Sequence, residues 1–446
     1  MCKLAFSLAM LAAAVCLLAG PASAQTFTTR YVDLSGSNSQ ALLYEPVSLK
    51  SDTALLFSQS NRNNFTNSVA QRIASRGYRI LMVDNRADAD SPDVPLETYL
   101  PSMSKGVAFL RTLPGVSKVV LAGHSGAGFL AALYQNVVEN GPGACSGPEK
   151  LYPCNPSAIS ALARTDGIIF IDSTIGAAHI MSSVDPAVAD DNDDRRGYPP
   201  RIPSLDSLNP ANGFNPTTQS ATYSPQFSAT WYARQAARNR KILEHALERL
   251  ESINAGEGAF SNDEPLLIRG IGVNALGVRL YFPDIRIQSH TKNPHLVLRG
   301  DGTREYMVLQ SVRGPTANYT ASLEQLGSLN WATTVRGFLE NGAVRTTGEY
   351  SFTEDDIKGV DWASSVTSAP SNATGIHVPA LVMTMGCHYL LVPGEIIYDN
   401  LASHDKTYVG VEGATHSFSP CAAKYGDTAK RAFDYIDEWL STPGRF

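Results

Sequence analysis

Residues 117–129 read SKVVLAGHSGAGF, an apolar run followed at once by small residues and then by a helical pattern. The apolar run predicts a strand, and the spacing of Phe129, Leu133 and Val137 predicts a helix directly after it. Small residues between the two elements predict a tight turn that larger side chains would obstruct. Ser125 lies on this turn, so it is either an exposed nucleophile or simply a small residue that the turn tolerates.

Alternating strands and helices extend outward from this turn. Strand-like apolar runs occur at TALLFS and YRILMVD before it, and at GIIFID, PALVMTM and KTYVGVEG after it. Residues with helical spacing lie between or after these runs: Phe65, Val69 and Ile73; Val107 and Leu110; and Phe433, Ile436 and Leu440. This order predicts βαβ units, a mostly parallel sheet with helices on both faces, and therefore the α/β class.

The alternation stops after Asp172 and resumes at residue 379. We therefore predict two core segments, 25–172 and 379–446, interrupted by a cap inserted at 173–378. The insertion contains a helical pattern over 227–254 and the stretch HLVLRGDGTREYMVLQSV, which predicts a hairpin. These elements indicate a mixed α+β cap. Its acidic run ADDNDDRR lacks the spacing of a calcium loop and is interpreted as a solvated turn.

The first 24 residues have the layout of a secretory signal peptide, with Lys3, a short apolar run and the small residues Ala22-Ser23-Ala24. The alternative, a membrane anchor, is disfavoured because the apolar run is short for a bilayer. Cleavage after Ala24 would remove one basic residue and change the formal net charge from −6 to −7. We expect a secreted or periplasmic protein without stable membrane insertion, and no basic face for nucleic acid.

Four cysteines remain after that cleavage: Cys145, Cys154, Cys387 and Cys421. An even number in an exported protein favours two disulfides, although buried free thiols are the alternative. Cys145 and Cys154 bracket a short loop that a local bridge would close, which leaves Cys387 to pair with Cys421.

The motif around the serine extends beyond a bare G-x-S-x-G. It reads GHSGA from Gly123, followed by Gly128, with Ala127 where glycine is usual. With a strand before it and a helix after it, the motif resembles the nucleophile elbow of the α/β-hydrolase superfamily. The resemblance covers residues 53–172 and 379–440 but not the insertion, and it implies that Ser125 is a nucleophile at the carboxyl edge of the sheet.

The superfamily keeps the chain order serine, acid, histidine. His416 follows the last predicted strand in VEGATHSF and precedes the terminal helix, which is where the family keeps its general base. A histidine on such a loop can reach the serine and also protonate the leaving group. The alternative is an ordinary surface histidine.

The usual position of the acid is occupied here by Tyr389, in GCHYLLVPGE, and a tyrosine cannot replace a carboxylate at neutral pH. Asp172 ends the strand after the nucleophile helix, a place from which pancreatic-type lipases and haloalkane dehalogenases supply the acid. Glu395 is the second candidate, but carboxylates are common in the first turn of a helix. We therefore favour Asp172 over Glu395, with His388 and Tyr389 lining the pocket or simply packing.

The oxyanion hole of this superfamily uses the backbone N–H after the nucleophile, here Gly126, and a second donor from an earlier loop. That loop reads FSQSNRNNF, so Ser60 or Asn61 is expected by position. In this arrangement, a bridge between Cys387 and Cys421 would join the two loops beside His416.

These residues predict a secreted serine hydrolase that cleaves a carboxylic ester through an acyl-enzyme, without cofactor or metal. Its substrate would be a small-molecule, lipid or polymer ester. An amide or peptide hydrolase of the same fold and a non-catalytic binding protein are the alternatives. Phe227, Trp231 and Tyr232 in the cap helix either roof an apolar pocket or form the core of the cap.

Overall fold

The computed structural model describes residues 26–34, 39–58, 65–84, 96–188, 201–271, 279–315 and 330–446. The predicted signal peptide, the candidate oxyanion residues Ser60 and Asn61, and the acidic run at 189–196 lie outside the described residues.

The strands of the described residues are numbered in chain order. They are β1 (Phe27–Asp33), β2 (Gln40–Pro46), β3 (Thr53–Ser58), β4 (Arg79–Asp84), β5 (Lys118–His124), β6 (Gly167–Ile171), β7 (Phe214–Asn215), β8 (Ser220–Ala221), β9 (Pro265–Arg269), β10 (His290–Leu298), β11 (Arg304–Gln310), β12 (Asn330–Thr334), β13 (Arg345–Phe352), β14 (Ile357–Asp361), β15 (Ala380–Met385) and β16 (Lys406–Val411).

The helices follow the same convention. They are α1 (Ser68–Ala74), α2 (Leu96–Thr112), α3 (Ala127–Asn140), α4 (Gly143–Ser146), α5 (Ala177–Met181), α6 (Pro225–Asn254), α7 (Val335–Asn341), α8 (Ala369–Ala373), α9 (Leu391–Asn400) and α10 (Thr428–Leu440).

A single ten-stranded sheet organises the molecule, in the order β1-β2-β4-β3-β5-β6-β15-β16-β10-β11. Neighbours from β4 to β10 in this order run parallel, whereas β1, β2 and β11 pair antiparallel at the two sides. Every residue of β3, β4, β6 and β15 is buried, as expected for strands covered on both faces. The predicted α/β class is confirmed.

Helices cover both faces of this sheet. One face packs against α2, α3 and α9, through residues such as Val107, Leu133 and Ile397. The other face packs against α1 and α10, through residues such as Ile73 and Phe433. The apolar residues with helical spacing in the sequence therefore lie on the helix sides that face the sheet. Apolar burial on both faces stabilises the sheet, and its parallel strands end together at one edge.

The predicted hairpin is present but lies elsewhere than expected. It forms β10 and β11, and β10 pairs in parallel with β16, with Leu296 opposite Val409. Val297 and Leu298 are buried, so the hairpin extends the central sheet. Assigning the whole of 173–378 to a cap was therefore wrong for this hairpin, because sequence position does not reveal which strand it pairs with.

The remainder of the insertion has its own apolar cluster. The long helix α6 spans Pro225–Asn254, and Gly256 after it has φ 76°, a left-handed conformation that suits glycine. Residues of α6, β9 and α7 pack together, including Leu243, Ile268 and Phe338. In the part of the chain that the structure describes, no helix has both the length and the apolar character needed to cross a membrane.

Both predicted disulfides are present. Cys145 and Cys154 have Cα atoms 5.5 Å apart, and those of Cys387 and Cys421 are 6.4 Å apart. The first bridge closes a local loop after α3. The second joins the loop after β15 to the loop after β16.

Candidate active site

Ser125 occupies a strained turn between β5 and α3. Its φ is 58°, a left-handed conformation that non-glycine residues rarely adopt. The Ser125 N–H donates to the carbonyl of Ile171 at 3.1 Å, and the Ser125 carbonyl accepts from Gly128 at 3.2 Å. These bonds hold the residue where the strand ends and the helix begins, as the sequence predicted for the turn.

The small residues around the serine are required by close packing against their neighbours. A Cβ atom on Gly123 would lie 2.6 Å from the carbonyl oxygen of Ala127. A Cβ atom on Gly128 would lie 1.8 Å from Oγ of Ser173, on the neighbouring strand-end segment. Ala127 is itself almost fully buried. The turn therefore packs too closely for larger residues at these positions.

Asp172 lies directly beside this turn, because β5 and β6 are neighbours and His124 is paired with Ile171. Its φ is 44°, so it too is in the left-handed region. The Asp172 N–H donates to Met383 O at 2.7 Å, and Oδ1 accepts from Met385 N at 3.1 Å. The side chain is fully buried. Two adjacent strands therefore end in two constrained residues at one edge of the sheet.

His416 reaches the same place from the loop after β16. Its Nδ1 lies 2.6 Å from Oδ2 of Asp172, in hydrogen-bonding geometry. Facing a carboxylate, this nitrogen carries the proton and donates, which leaves the lone pair on Nε2. Burial alone would raise the pKa of Asp172, but the neighbouring imidazoles of His388 and His416 hold it well below its usual range. Asp172 is therefore ionised.

Two further imidazoles enclose the ring of His416. The ring of His124 stacks on one side, with centroids 4.5 Å apart and planes at 26°. His388 stacks with centroids 4.6 Å apart and planes at 25°. In addition, Nε2 of His124 lies 3.1 Å from the carbonyl oxygen of His416. His416 is thus held next to the serine turn by the residue that precedes Ser125.

Burial shifts both flanking imidazoles toward the neutral form. Burial, together with the neighbouring His416, lowers the pKa of His124 to about 4. Burial also lowers the pKa of His388, although the Asp172 carboxylate opposes this shift. Nδ1 of His388 lies 2.7 Å from Oδ2 of Asp172, without the alignment of a hydrogen bond. The carboxylate therefore faces two imidazole nitrogens at once.

Aromatic side chains from the insertion pack over this group. Tyr389 lies 4.7 Å from Phe282 and 5.6 Å from Tyr281, measured between ring centroids. Trp231 and Tyr232 of α6 are buried in the main apolar cluster and contact each other edge-on at 5.2 Å. These aromatics form packed core, which corresponds to the simpler of the two interpretations that the sequence allowed.

Glu395, the alternative acid, has different partners. Its oxygens accept from the backbone N–H groups of Lys292 at 2.7 Å and Asn293 at 2.9 Å. Nε2 of His295 lies 2.8 Å from Oε1. Glu395 therefore joins α9 to β10, and its buried carboxylate is bound by that strand.

The second disulfide lies against the histidine loop. The Cys387 N–H donates to Ala414 O at 2.8 Å, and the Cys421 N–H donates to Gly413 O at 2.9 Å. The bridge thus ties the segment carrying His388 to the segment carrying His416.

Sequence reasoning missed the part played by His124 and gave His388 only a place near the pocket. A signal was present for both, since His124 occupies the variable position of the serine motif and His388 follows Cys387. Their contacts with His416 depend on loops that meet only in the folded chain.

No family model and no curated protein matches this sequence. Among solved structures, a hypothetical protein from Pseudomonas aeruginosa is 13% identical, with a TM-score of 0.42 over 94% of this chain and 96% of that chain. Brefeldin A esterase, a bacterial homologue of human hormone-sensitive lipase, is 12% identical, with a TM-score of 0.41 over 97% of this chain and 79% of that chain. A fungal esterase from Rhizomucor miehei is 12% identical, with a TM-score of 0.37 over 93% of this chain and 81% of that chain.

These likenesses are distant, and the fold is evident instead from the strand order and the serine turn. Parallel strands run through the centre of the sheet, helices cover both faces, and a strained serine follows β5. The chain has an α/β-hydrolase fold with a mixed α+β insertion after β6, the strand that Asp172 directly follows.

Proposed function

We propose that this protein is an exported serine hydrolase that cleaves a carboxylic ester through an acyl-enzyme. The observation that carries the proposal is the 2.6 Å hydrogen bond between His416 Nδ1 and Asp172 Oδ2, made beside a serine whose φ is 58°. A carboxylate, an imidazole and a half-buried serine hydroxyl in this order are the parts of a nucleophilic relay.

The tautomer of His416 defines the direction of proton transfer. With its proton held on Nδ1 by Asp172, Nε2 is free to accept the proton of the Ser125 hydroxyl. The serine oxygen then bonds to the ester carbonyl carbon, and the imidazolium returns the proton to the departing alcohol. Water then attacks the acyl carbon while Nε2 of His416 takes its proton, and the imidazolium returns that proton to Ser125 Oγ as the acyl–oxygen bond breaks and the acid product leaves.

In this proposal Asp172 is the acid and Glu395 is structural. Asp172 is ionised, buried and bonded to the base, whereas Glu395 is bound by the β10 backbone and His295. Without Asp172, the proton of His416 would therefore no longer be held on Nδ1. Removing Glu395 would instead loosen the contact between α9 and β10.

The developing oxyanion is assigned to the Gly126 N–H, which follows the nucleophile at the start of α3. A helix amino end carries partial positive charge and favours an anion there. The second donor remains a prediction for Ser60 or Asn61.

An ester is proposed over an amide because an ester carbonyl is more electrophilic and its alcohol leaves more readily. Hydrolysis rates on an ester and an anilide with the same acyl group test this preference. Faster hydrolysis of the ester supports the proposal, and faster hydrolysis of the anilide would replace it with an amidase.

The first experiment is labelling of the mature protein by a fluorophosphonate probe, followed by peptide mass mapping. We expect labelling at Ser125 that is lost in Ser125→Ala and His416→Ala, with both variants folded by circular dichroism. Labelling at another residue would place the nucleophile elsewhere, and no labelling of the folded wild type would favour the non-catalytic binding protein. Intact mass of the exported chain should also place its amino terminus at Gln25.

A further inference from the structure

Asp172, His388 and His416 bring two imidazole nitrogens against one carboxylate oxygen. The two Nδ1 atoms lie 2.6 Å and 2.7 Å from Oδ2 of Asp172, and the three donor atoms are within 4.8 Å of one another. Within the described ranges, no other trio of His, Cys, Asp or Glu side chains brings its donor atoms together in this way. Two imidazoles and one carboxylate are a ligand set that Zn²⁺ accepts.

The proposed hydrolysis uses only part of this trio. It needs the bond from His416 to Asp172, but it has no step for Nδ1 of His388. That nitrogen is buried and makes no aligned hydrogen bond, although it lies 2.7 Å from the carboxylate. Buried polar atoms without an aligned partner are uncommon because they cost free energy. A ligand shared with Asp172 would satisfy it.

The fold holds the two histidines in position before any ion arrives. Cys387 precedes His388, and its bridge to Cys421 joins that segment to the loop of His416. Their rings are stacked with centroids 4.6 Å apart. Ligands that are already ordered lose less conformational entropy on binding, which favours affinity.

We propose that Asp172, His388 and His416 form a binding site for Zn²⁺, and that the bound ion switches the hydrolase off. Ligand distances of about 2.0–2.2 Å in a tetrahedral site place ligand atoms roughly 3.3–3.6 Å apart, so the two Nδ1–Oδ2 distances would each lengthen by roughly 0.6–1.0 Å. The His416 side chain is 31% exposed, so it is the member of the trio that solvent reaches most readily. Inhibition by Zn²⁺ rests on the proposed function, whereas Zn²⁺ binding does not.

The inhibition follows from the proton on His416. A neutral imidazole carries one proton, and the triad keeps it on Nδ1 so that Nε2 can act as the base. Zinc on Nδ1 moves that proton to Nε2, the nitrogen that must accept from Ser125. It also removes the hydrogen bond by which Asp172 orients the ring. The number of protons on His416 is unchanged, but its basic nitrogen is lost.

Binding is tested first without any need for activity. Metal-stripped Ser125→Ala protein is titrated with Co²⁺, whose visible absorption reports tetrahedral coordination, and then with Zn²⁺. We expect one Co²⁺ per chain and its displacement by Zn²⁺. In wild-type protein, Zn²⁺ should block fluorophosphonate labelling of Ser125, and EDTA should restore it.

The decisive variant is His388→Gln, compared with His377→Gln as a matched control. His377 is an exposed histidine whose Nδ1 lies 3.3 Å from Glu139, so it too pairs with a carboxylate but lies outside the trio. Loss of a metal's second-shell partner alone weakens binding roughly 10–100-fold, so loss of a ligand should cost at least about 100-fold. His377→Gln should bind Co²⁺ as the wild type does.

Inhibition in each variant is expressed relative to its own metal-free labelling rate. A His388→Gln protein that binds Co²⁺ and is inhibited by Zn²⁺ as strongly as wild type would overturn the proposal, and His388→Asn provides a second test if the first variant folds poorly. A protein that never labels at Ser125 would defeat the proposed function. The Co²⁺ titrations would still decide whether the site exists.

Discussion

At the scale of single residues, the two carboxylates differ in what they hold. Asp172 binds the imidazole of His416 and the backbone of Met385. Glu395 binds the β10 backbone and His295. Each is buried and hydrogen-bonded, but only Asp172 is bonded to the proposed base.

Replacing Asp172 with asparagine should lower kcat about 10⁴-fold, because an amide N–H₂ facing Nδ1 favours the wrong imidazole tautomer. Glu395→Gln should leave kcat close to that of the wild type and lower Tm, because it weakens a buried contact. Steady-state kinetics and thermal unfolding measure the two effects. A comparable loss of kcat in Glu395→Gln would contradict this assignment.

Gly128→Ala should destabilise the protein by about 1–3 kcal/mol, because the new Cβ must displace Ser173. Gly143→Ala is the matched control, since a Cβ there has no neighbour within 4 Å. Chemical denaturation of both variants gives the free energies of unfolding. Equal stabilities would show that the serine turn has more room than its packing indicates.

At the scale of elements, the two disulfides have different neighbours. Cys387–Cys421 spans 34 residues and joins the loops of His388 and His416, whereas Cys145–Cys154 spans 9 residues and closes a loop after α3. The longer bridge restricts the unfolded chain more, by about 1 kcal/mol on chain-entropy arguments.

Replacing both Cys387 and Cys421 with serine should therefore lower Tm and kcat, because the loop that carries His416 is then no longer linked covalently to the loop after β15. The corresponding Cys145 and Cys154 double variant should lower Tm by less and leave kcat nearly unchanged. Activity and thermal unfolding of the two double variants make the comparison. Equal effects on kcat would mean that the bridge does not hold the base in place.

The sequence predicted the central strands because continuous apolar runs are typical of parallel strands that are buried on both faces of a sheet. It also predicted Ser125, His416 and Asp172 as candidates, since each follows a predicted strand whose end lies at one sheet edge. The hairpin at β10 and β11 could not be located, because its pattern fits either a cap or a sheet edge. The contact between His388 and Asp172 likewise depends on two loops that are distant in sequence.

At the scale of the whole molecule, the hairpin of β10 and β11 joins the insertion to the core, because β10 pairs with β16 in the central sheet. Val297 on β10 is 1% exposed, whereas Val308 on β11 is 39% exposed. Buried residues of the inserted segment therefore form part of the hydrophobic core of the central sheet.

Val297→Ala should lower the free energy of unfolding by roughly 2 kcal/mol and shift one cooperative transition, because it leaves a cavity in the shared core. Val308→Ala should have little effect, since that side chain already contacts solvent. Calorimetry distinguishes the outcomes. A separate transition that shifts alone in Val297→Ala would show that the hairpin unfolds independently of the core.

The bond between Asp172 and His416 joins residues 244 positions apart in the chain. Contacts of such long range form slowly, because the intervening chain must first be ordered. During refolding, the relay can form only after β6, β15 and β16 have paired. Recovery of serine labelling after dilution from denaturant should therefore lag behind chain collapse and report completion of the sheet.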